Sequence, residues 1–201
     1  MARILACLTL TLLVTACDSG PRLAPLAGDA MILAIGDSLT DGSGARDDES
    51  YPRLLAASTG LEVINAGVPG EESDAGLARL PKLLDRTRPD LVILGHGGND
   101  LLRKRDRSQT KSNLRRMAEL ARASGASVVL LGVPRPGLFL GTHPLYRELA
   151  NELELPIEDK ALADILADPD LKSDQIHPNA AGYVKLADAI HDLLRQTGAL
   201  N

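Results

Sequence analysis

The chain has 201 residues, 44% hydrophobic and 24% charged, which is the composition of one globular domain rather than of a disordered or collagen-like protein. Its 22 Lys and Arg against 27 Asp and Glu leave a net charge of −5, and only 2% of its residues are aromatic. Nucleic-acid modules that stack bases on aromatic platforms over a basic face are thereby excluded. Cys7 and Cys17 are the two cysteines, and both fall in the first seventeen residues. The body of the chain therefore has no thiol for a disulfide, a nucleophile or a Cys-based zinc site.

In chain order, Arg3 is followed by an apolar run from Ile4 to Val14, too short to span a bilayer and of the length of a signal-peptide core. Val14-Thr15-Ala16-Cys17 then resembles a bacterial lipobox, which implies cleavage before Cys17 and acylation of its sulfur and new amine. Several acyl chains on one residue exceed what stable anchoring needs, at about 0.8 kcal/mol per buried methylene. Asp18, directly after Cys17, resembles the signal that keeps lipoproteins in the inner membrane, with the domain facing the periplasm. Residues 1–16 are expected as signal peptide, 17–29 as a lipidated tether and 30–201 as the folded domain. Pro21 and Pro25 give the tether its spacer character.

From residue 30 onward, short apolar runs alternate with amphipathic stretches, the pattern of an α/β domain on a parallel sheet. Strands are expected at 30–35, 62–65, 90–94 and 127–131, within a sheet of about five. Helices are expected at 51–58, 75–86, 108–124, 145–153, 161–166 and 180–196. In the third of these, Leu114, Met117, Leu120 and Ala121 recur at helical spacing and bury one face, leaving Arg115, Arg116, Glu119 and Arg122 to water.

Open α/β sheets bind ligands beyond the carboxyl ends of their strands, so the segments after each strand are where chemistry belongs. Gly36-Asp37-Ser38-Leu39 follows the first strand; alone it reads as a helix cap, and the Gly-x-Ser-x-Gly elbow is absent because Thr40 replaces its second glycine. Asn65-Ala66-Gly67-Val68-Pro69-Gly70 follows the second strand and Gly95-His96-Gly97-Gly98-Asn99-Asp100 the third. Gly67 and Asn99 can offer fixed donors to an acyl-transfer oxyanion, whereas His96 reads as a loop or satisfied core histidine. Before the last helix, Asp174 stands three residues ahead of His177, close enough for a carboxylate to set an imidazole's tautomer.

Together, Gly-Asp-Ser-Leu at 36–39, Gly67, Gly-x-Asn-Asp at 97–100 and Asp-x-x-His at 174–177 resemble the four signature blocks of the GDSL/SGNH hydrolase family. The likeness runs from residue 31 to 197 and looks most like its bacterial periplasmic thioesterase/arylesterase/lysophospholipase group. It implies a three-layer α/β/α sandwich, flavodoxin-like, with Ser38 as nucleophile, His177 as base and Asp174 as its orienter. It further implies an oxyanion hole from the Ser38 and Gly67 amides and the Asn99 side chain, with no metal or cofactor; the oligomeric state is left open, a monomer being favoured.

The expected chemistry is two-step acyl transfer on short- to medium-chain esters, thioesters or lysophospholipids. Leu138-Phe139-Leu140 offers an apolar wall for an acyl chain or, equally, a patch that packs on the core. The basic run Arg103-Lys104-Arg105-Asp106-Arg107 reads as a solvated flank, with a phosphate head group as its alternative ligand. A carbohydrate O-acetyl esterase would run the same chemistry in a polar pocket. A lipid-tethered binding protein on an inactive hydrolase fold is the non-enzymatic alternative.

Overall fold

The computed structural model describes residues 20–135, 137 and 141–201. Cys17, Asp18 and the apolar Leu138-Phe139-Leu140 lie outside the described residues.

Five parallel strands form one sheet in the order β2-β1-β3-β4-β5. They are β1 (Met31–Gly36), β2 (Glu62–Gly67), β3 (Leu91–Gly95), β4 (Ser127–Leu131) and β5 (Ile157–Glu158). Parallel strands covered on both faces need apolar residues at nearly every position, not alternate ones. Ile32, Leu33, Ala34 and Ile35 of β1 and Leu91, Ile93 and Leu94 of β3 are accordingly fully buried.

The helices are α1 (Ser38–Asp41), α2 (Tyr51–Thr59), α3 (Ser73–Thr87), α4 (Gly98–Leu102), α5 (Arg107–Ala123), α6 (Pro144–Leu153), α7 (Ala161–Ala167) and α8 (Ala180–Gln196). Against one another, α2 packs on α8 and α7 on α8, while α3 packs on α5 and α5 on α6. The three-layer sandwich that the resemblance implies is thus what the chain adopts. In α5 the buried residues include Leu114, Met117, Ala118 and Ala121, the face that the spacing marks out.

Two short helices and one short strand escape the periodicity. Four-residue α1 and five-residue α4 are single turns placed directly after β1 and β3, too short to show a repeat of 3.6. β5 has two residues, shorter than any alternation.

The segment expected as a free tether is in part docked. Leu23 and Leu26 donate their N–H groups to the Thr197 and Ala199 carbonyls at 2.9 Å each, and Arg22 reaches the Gln196 carbonyl at 2.7 Å. Both leucines pack against the core, because a spacer carrying two leucines gains more by covering apolar surface than by staying in water.

The chain leaves β1 toward β2 on one side and returns to β3 on the other. The carboxyl ends of β1 and β3 therefore flank a crevice at the point where strand order reverses, the place where such sheets hold ligands.

Candidate active site

Ser38 stands at the first position of α1, immediately beyond the end of β1. Asp37 caps that turn, its Oδ1 accepting the Leu39 N–H at 3.1 Å, which fixes how the serine hydroxyl leaves the sheet. Ser38 N–H itself makes no hydrogen bond within the described residues. At 3.0 Å from Ser38 Oγ lies Nε2 of His177. The Nδ1 of the same ring is 2.8 Å from Asp174 Oδ2. One serine, one imidazole and one carboxylate thus form a continuous chain of hydrogen bonds between residues 139 positions apart.

The His177 loop is built locally. Asp174 Oδ1 accepts the Ile176 and His177 N–H groups at 2.8 and 2.9 Å, a side-chain turn that leaves Oδ2 free for the ring. Ser173 N–H closes on the His177 carbonyl at 3.0 Å. Asn179 then caps α8 by accepting the Gly182 N–H at 3.0 Å. Burial raises the Asp174 carboxyl, but hydrogen bonds from the His177 ring and from the Ile176 and His177 N–H groups outweigh it and hold it below the ordinary value. The orienting group is therefore held in its ionised form.

Asn99, in the first turn of α4, comes to the same crevice. Its Nδ2 donates to Asp37 Oδ2 at 3.2 Å and to the Glu71 carbonyl at 3.1 Å. Asp37 is 2% exposed. Burial pushes its carboxyl up, against the opposing pull of His96, Leu39 N–H, Asn99 and His177.

Gly67 does not meet the expectation placed on it. Its N–H is donated to Asn65 Oδ1 at 2.9 Å, so it has nothing left for an oxyanion. A Cβ there would stand 2.1 Å from the Asp41 amide nitrogen, so this glycine serves the close packing of α1 on β2. The amide without an intrachain partner among the described residues is that of Gly70, three positions on. It sits at the third position of a turn closed by Glu71 N–H on the Val68 carbonyl at 3.1 Å, with φ +76°. Proline second and glycine third is the pattern of a type II turn, visible in the sequence as Pro69-Gly70.

His96 is fully buried, with Nε2 3.0 Å from Glu71 Oε2, in keeping with a satisfied core histidine. The basic run beyond α4 is largely spent on one acid. Arg103 and Arg105 lie 2.8 and 2.7 Å from the Glu72 carboxylate, and Arg103 also reaches the Gly70 carbonyl at 2.9 Å.

Around Ser38, Asn99 and His177 opens a cleft of ≈ 800 Å³. Leu39, Leu102, Val133, Leu166 and Ile176 give it apolar walls, and Arg135 and Lys172 add two cations.

A hydrogen-bonded serine–histidine–carboxylate chain at the mouth of a cleft, next to an asparagine amide, is what acyl transfer requires. Residues 34–185 match the family of GDSL-like lipases and acylhydrolases. The chain belongs to that family. It is 39% identical to esterase TesA of Pseudomonas aeruginosa over 130 residues, covering 62% of this chain and 65% of that protein. The chain thus spans just under two thirds of that relative. With thioesterase 1/protease 1/lysophospholipase L1 of Escherichia coli strain K12 it shares 31% identity over 78% of its own length and 79% of the relative's. Among solved structures, the psychrotrophic esterase EstA of a Pseudoalteromonas species, inhibited by monoethylphosphonate, superimposes with a TM-score of 0.75 at 25% identity. That match covers 84% of this chain and 98% of EstA.

Proposed function

We propose that the protein is a serine esterase acting by two-step acyl transfer through Ser38, His177 and Asp174. The observation that carries this reading is the hydrogen-bond chain Ser38–His177–Asp174, at 3.0 and 2.8 Å, placed at the crevice beyond β1 and β3. Ser38 Oγ attacks the ester carbonyl carbon while His177 Nε2 takes its proton. The oxyanion draws on Ser38 N–H, Gly70 N–H and Asn99 Nδ2, the last exchanging its longer bond to Asp37 for the developing charge. His177 then protonates the leaving alkoxide or thiolate. Water, deprotonated by the same ring, releases the acid from the acyl-enzyme.

Apolar walls at Leu39, Leu102, Val133, Leu166 and Ile176 support an acyl chain of short to medium length rather than a polar sugar acetate. Thioesters and lysophospholipids, for which the Escherichia coli relative is named, and aryl esters are the substrates this reading assigns to the cleft. Hydrolysis of a p-nitrophenyl ester series from acetate to palmitate, with Ser38→Ala beside it, tests the reading. It predicts a Ser38-dependent optimum at middle chain lengths. Activity on acetate alone would point to a deacetylase, and none at all in folded protein to a binding role.

We further propose that the enzyme lies on the periplasmic side of a membrane, held by acylated Cys17. Its support is the apolar run before Val14-Thr15-Ala16-Cys17, with Asp18 favouring the inner membrane. Because the chain is docked from Arg22 onward, residues 17–21 allow the domain at most about 18 Å of reach from the lipid. Mass spectrometry of the N-terminal peptide from membranes tests this: an acylated Cys17 is expected, and an unmodified one would refute it.

A further inference from the structure

Three side chains that take no part in acyl transfer converge behind the crevice. The Glu71 carboxylate takes a fork from Arg79, whose Nε lies 2.8 and 2.9 Å from its two oxygens and whose Nη2 lies 2.6 Å from Oε2. His96 Nε2 meets the same Oε2 at 3.0 Å, and His96 Nδ1 accepts the Gly97 N–H at 3.2 Å. Accepting at Nδ1 puts the ring proton on Nε2, so His96 donates to Glu71.

Each arm of this cluster ends on backbone that delivers an oxyanion donor. Arg79 Nη2 also donates to the Ala66 carbonyl at 2.8 Å and the Gly36 carbonyl at 3.3 Å. These are the carboxyl ends of β2 and β1, and Gly36 is two residues before Ser38. Glu71 directly follows Gly70, and its own carbonyl takes Asn99 Nδ2 at 3.1 Å. His96 opens the turn that leads to Asn99, and its carbonyl is held by Tyr146 Oη at 2.8 Å.

Burying an ion pair contributes little net stability compared with apolar packing of the same volume, whereas its directional bonds fix geometry. We propose that Glu71, Arg79 and His96 are positioning residues for this reaction, setting the mutual spacing of the Ser38, Gly70 and Asn99 donors. The inference rests on the serine esterase reading. None of the three touches substrate; they act through the turns they hold, where a displacement of about 1 Å costs up to about 10² in rate.

The test is steady-state hydrolysis of p-nitrophenyl butyrate by the full chain in detergent, with circular dichroism melts for every variant. Glu71→Gln and His96→Leu are expected to lower kcat about tenfold with KM within about twofold, a fraction of the loss from removing a donor outright. His96→Gln, which keeps an N–H at similar reach, recovers most of that loss. In an Asn99→Ala background, Glu71→Gln is expected to cost clearly less than in the parent, because one of the three donors it positions is gone. Parent kcat in the folded single variants, or an undiminished tenfold loss in the Asn99→Ala background, overturns the inference. Where Glu71→Gln fails to fold, the contrast between His96→Leu and His96→Gln decides. A parent enzyme without Ser38-dependent hydrolysis would instead refute the esterase reading, a distinguishable result.

Discussion

Gly44 lies directly against the loop that carries His177. A Cβ at Gly44 would stand 3.1 Å from His177 Cβ and 2.4 Å from the Pro178 carbonyl oxygen, and φ at Gly44 is +99°. One residue earlier, the Ser43 carbonyl accepts from Tyr183 Oη of α8 at 2.9 Å. The turn after the nucleophile and the loop holding the base are thus set by mutual contact rather than by either alone. Gly44→Ala forces backbone apart at this contact. We expect kcat to fall by about 10² from misplacement of His177 and stability to fall by about 1–3 kcal/mol. Ester hydrolysis beside a thermal melt checks both, and a variant turning over at the parent rate contradicts the account.

Asp174→Asn separates orientation from folding. The Asp174 side chain is 54% exposed, and an amide oxygen still accepts the Ile176 and His177 N–H groups, so the loop persists. An amide facing Nδ1 favours the wrong imidazole tautomer, and kcat is expected to drop about 10³–10⁴-fold. Unchanged kcat in the folded variant would remove Asp174 from the relay.

Glu71 makes a pH prediction. Burial raises its carboxyl, but hydrogen bonds from Arg79 and His96 and the charge of Arg79 outweigh it and leave it below the ordinary 4.5. A carboxyl depressed in the folded state contributes stability that is present above its unfolded value and lost as pH falls through its folded value. The melting temperature should therefore decline as pH drops from about 5 to about 3, and less steeply in Glu71→Gln. Equal slopes for parent and variant would mean that Glu71 is not ionised preferentially in the fold.

Leu102 lines the cleft and is 43% exposed, as an acyl-chain contact at a mouth should be. Leu102→Asn is expected to lower kcat/KM for the octanoate ester by about fivefold, near 1 kcal/mol of lost apolar contact, and to leave the acetate ester within about twofold. Equal losses on both esters would place the chain elsewhere.

The long helices were legible because their apolar residues repeat at helical period over many positions, and the inner strands because they are short continuous apolar runs; α8 spans what the sequence marks out, Ala180–Gln196. Ser38, Asn99, Asp174 and His177 were legible because each follows a strand or precedes the last helix, at the crevice end of the sheet. The misassignment of Gly67 has a physical origin. Residues 65–70 hold two glycines, and which one keeps a free N–H is decided by the Asn65 side chain, a contact no periodicity reports. Neither was the Glu71–Arg79–His96 cluster visible, since its members stand eight or more positions apart and meet only when α3 packs beside the ends of β1, β2 and β3.

The central claim is that Ser38 is a nucleophile activated by His177. The most direct measurement is reaction of the folded protein with a fluorophosphonate, followed by mass spectrometry of the modified peptide. The account predicts one adduct, on Ser38, lost in Ser38→Ala and formed far more slowly in His177→Ala. Labelling at another serine, or an adduct on Ser38 that forms equally fast without His177, would contradict it.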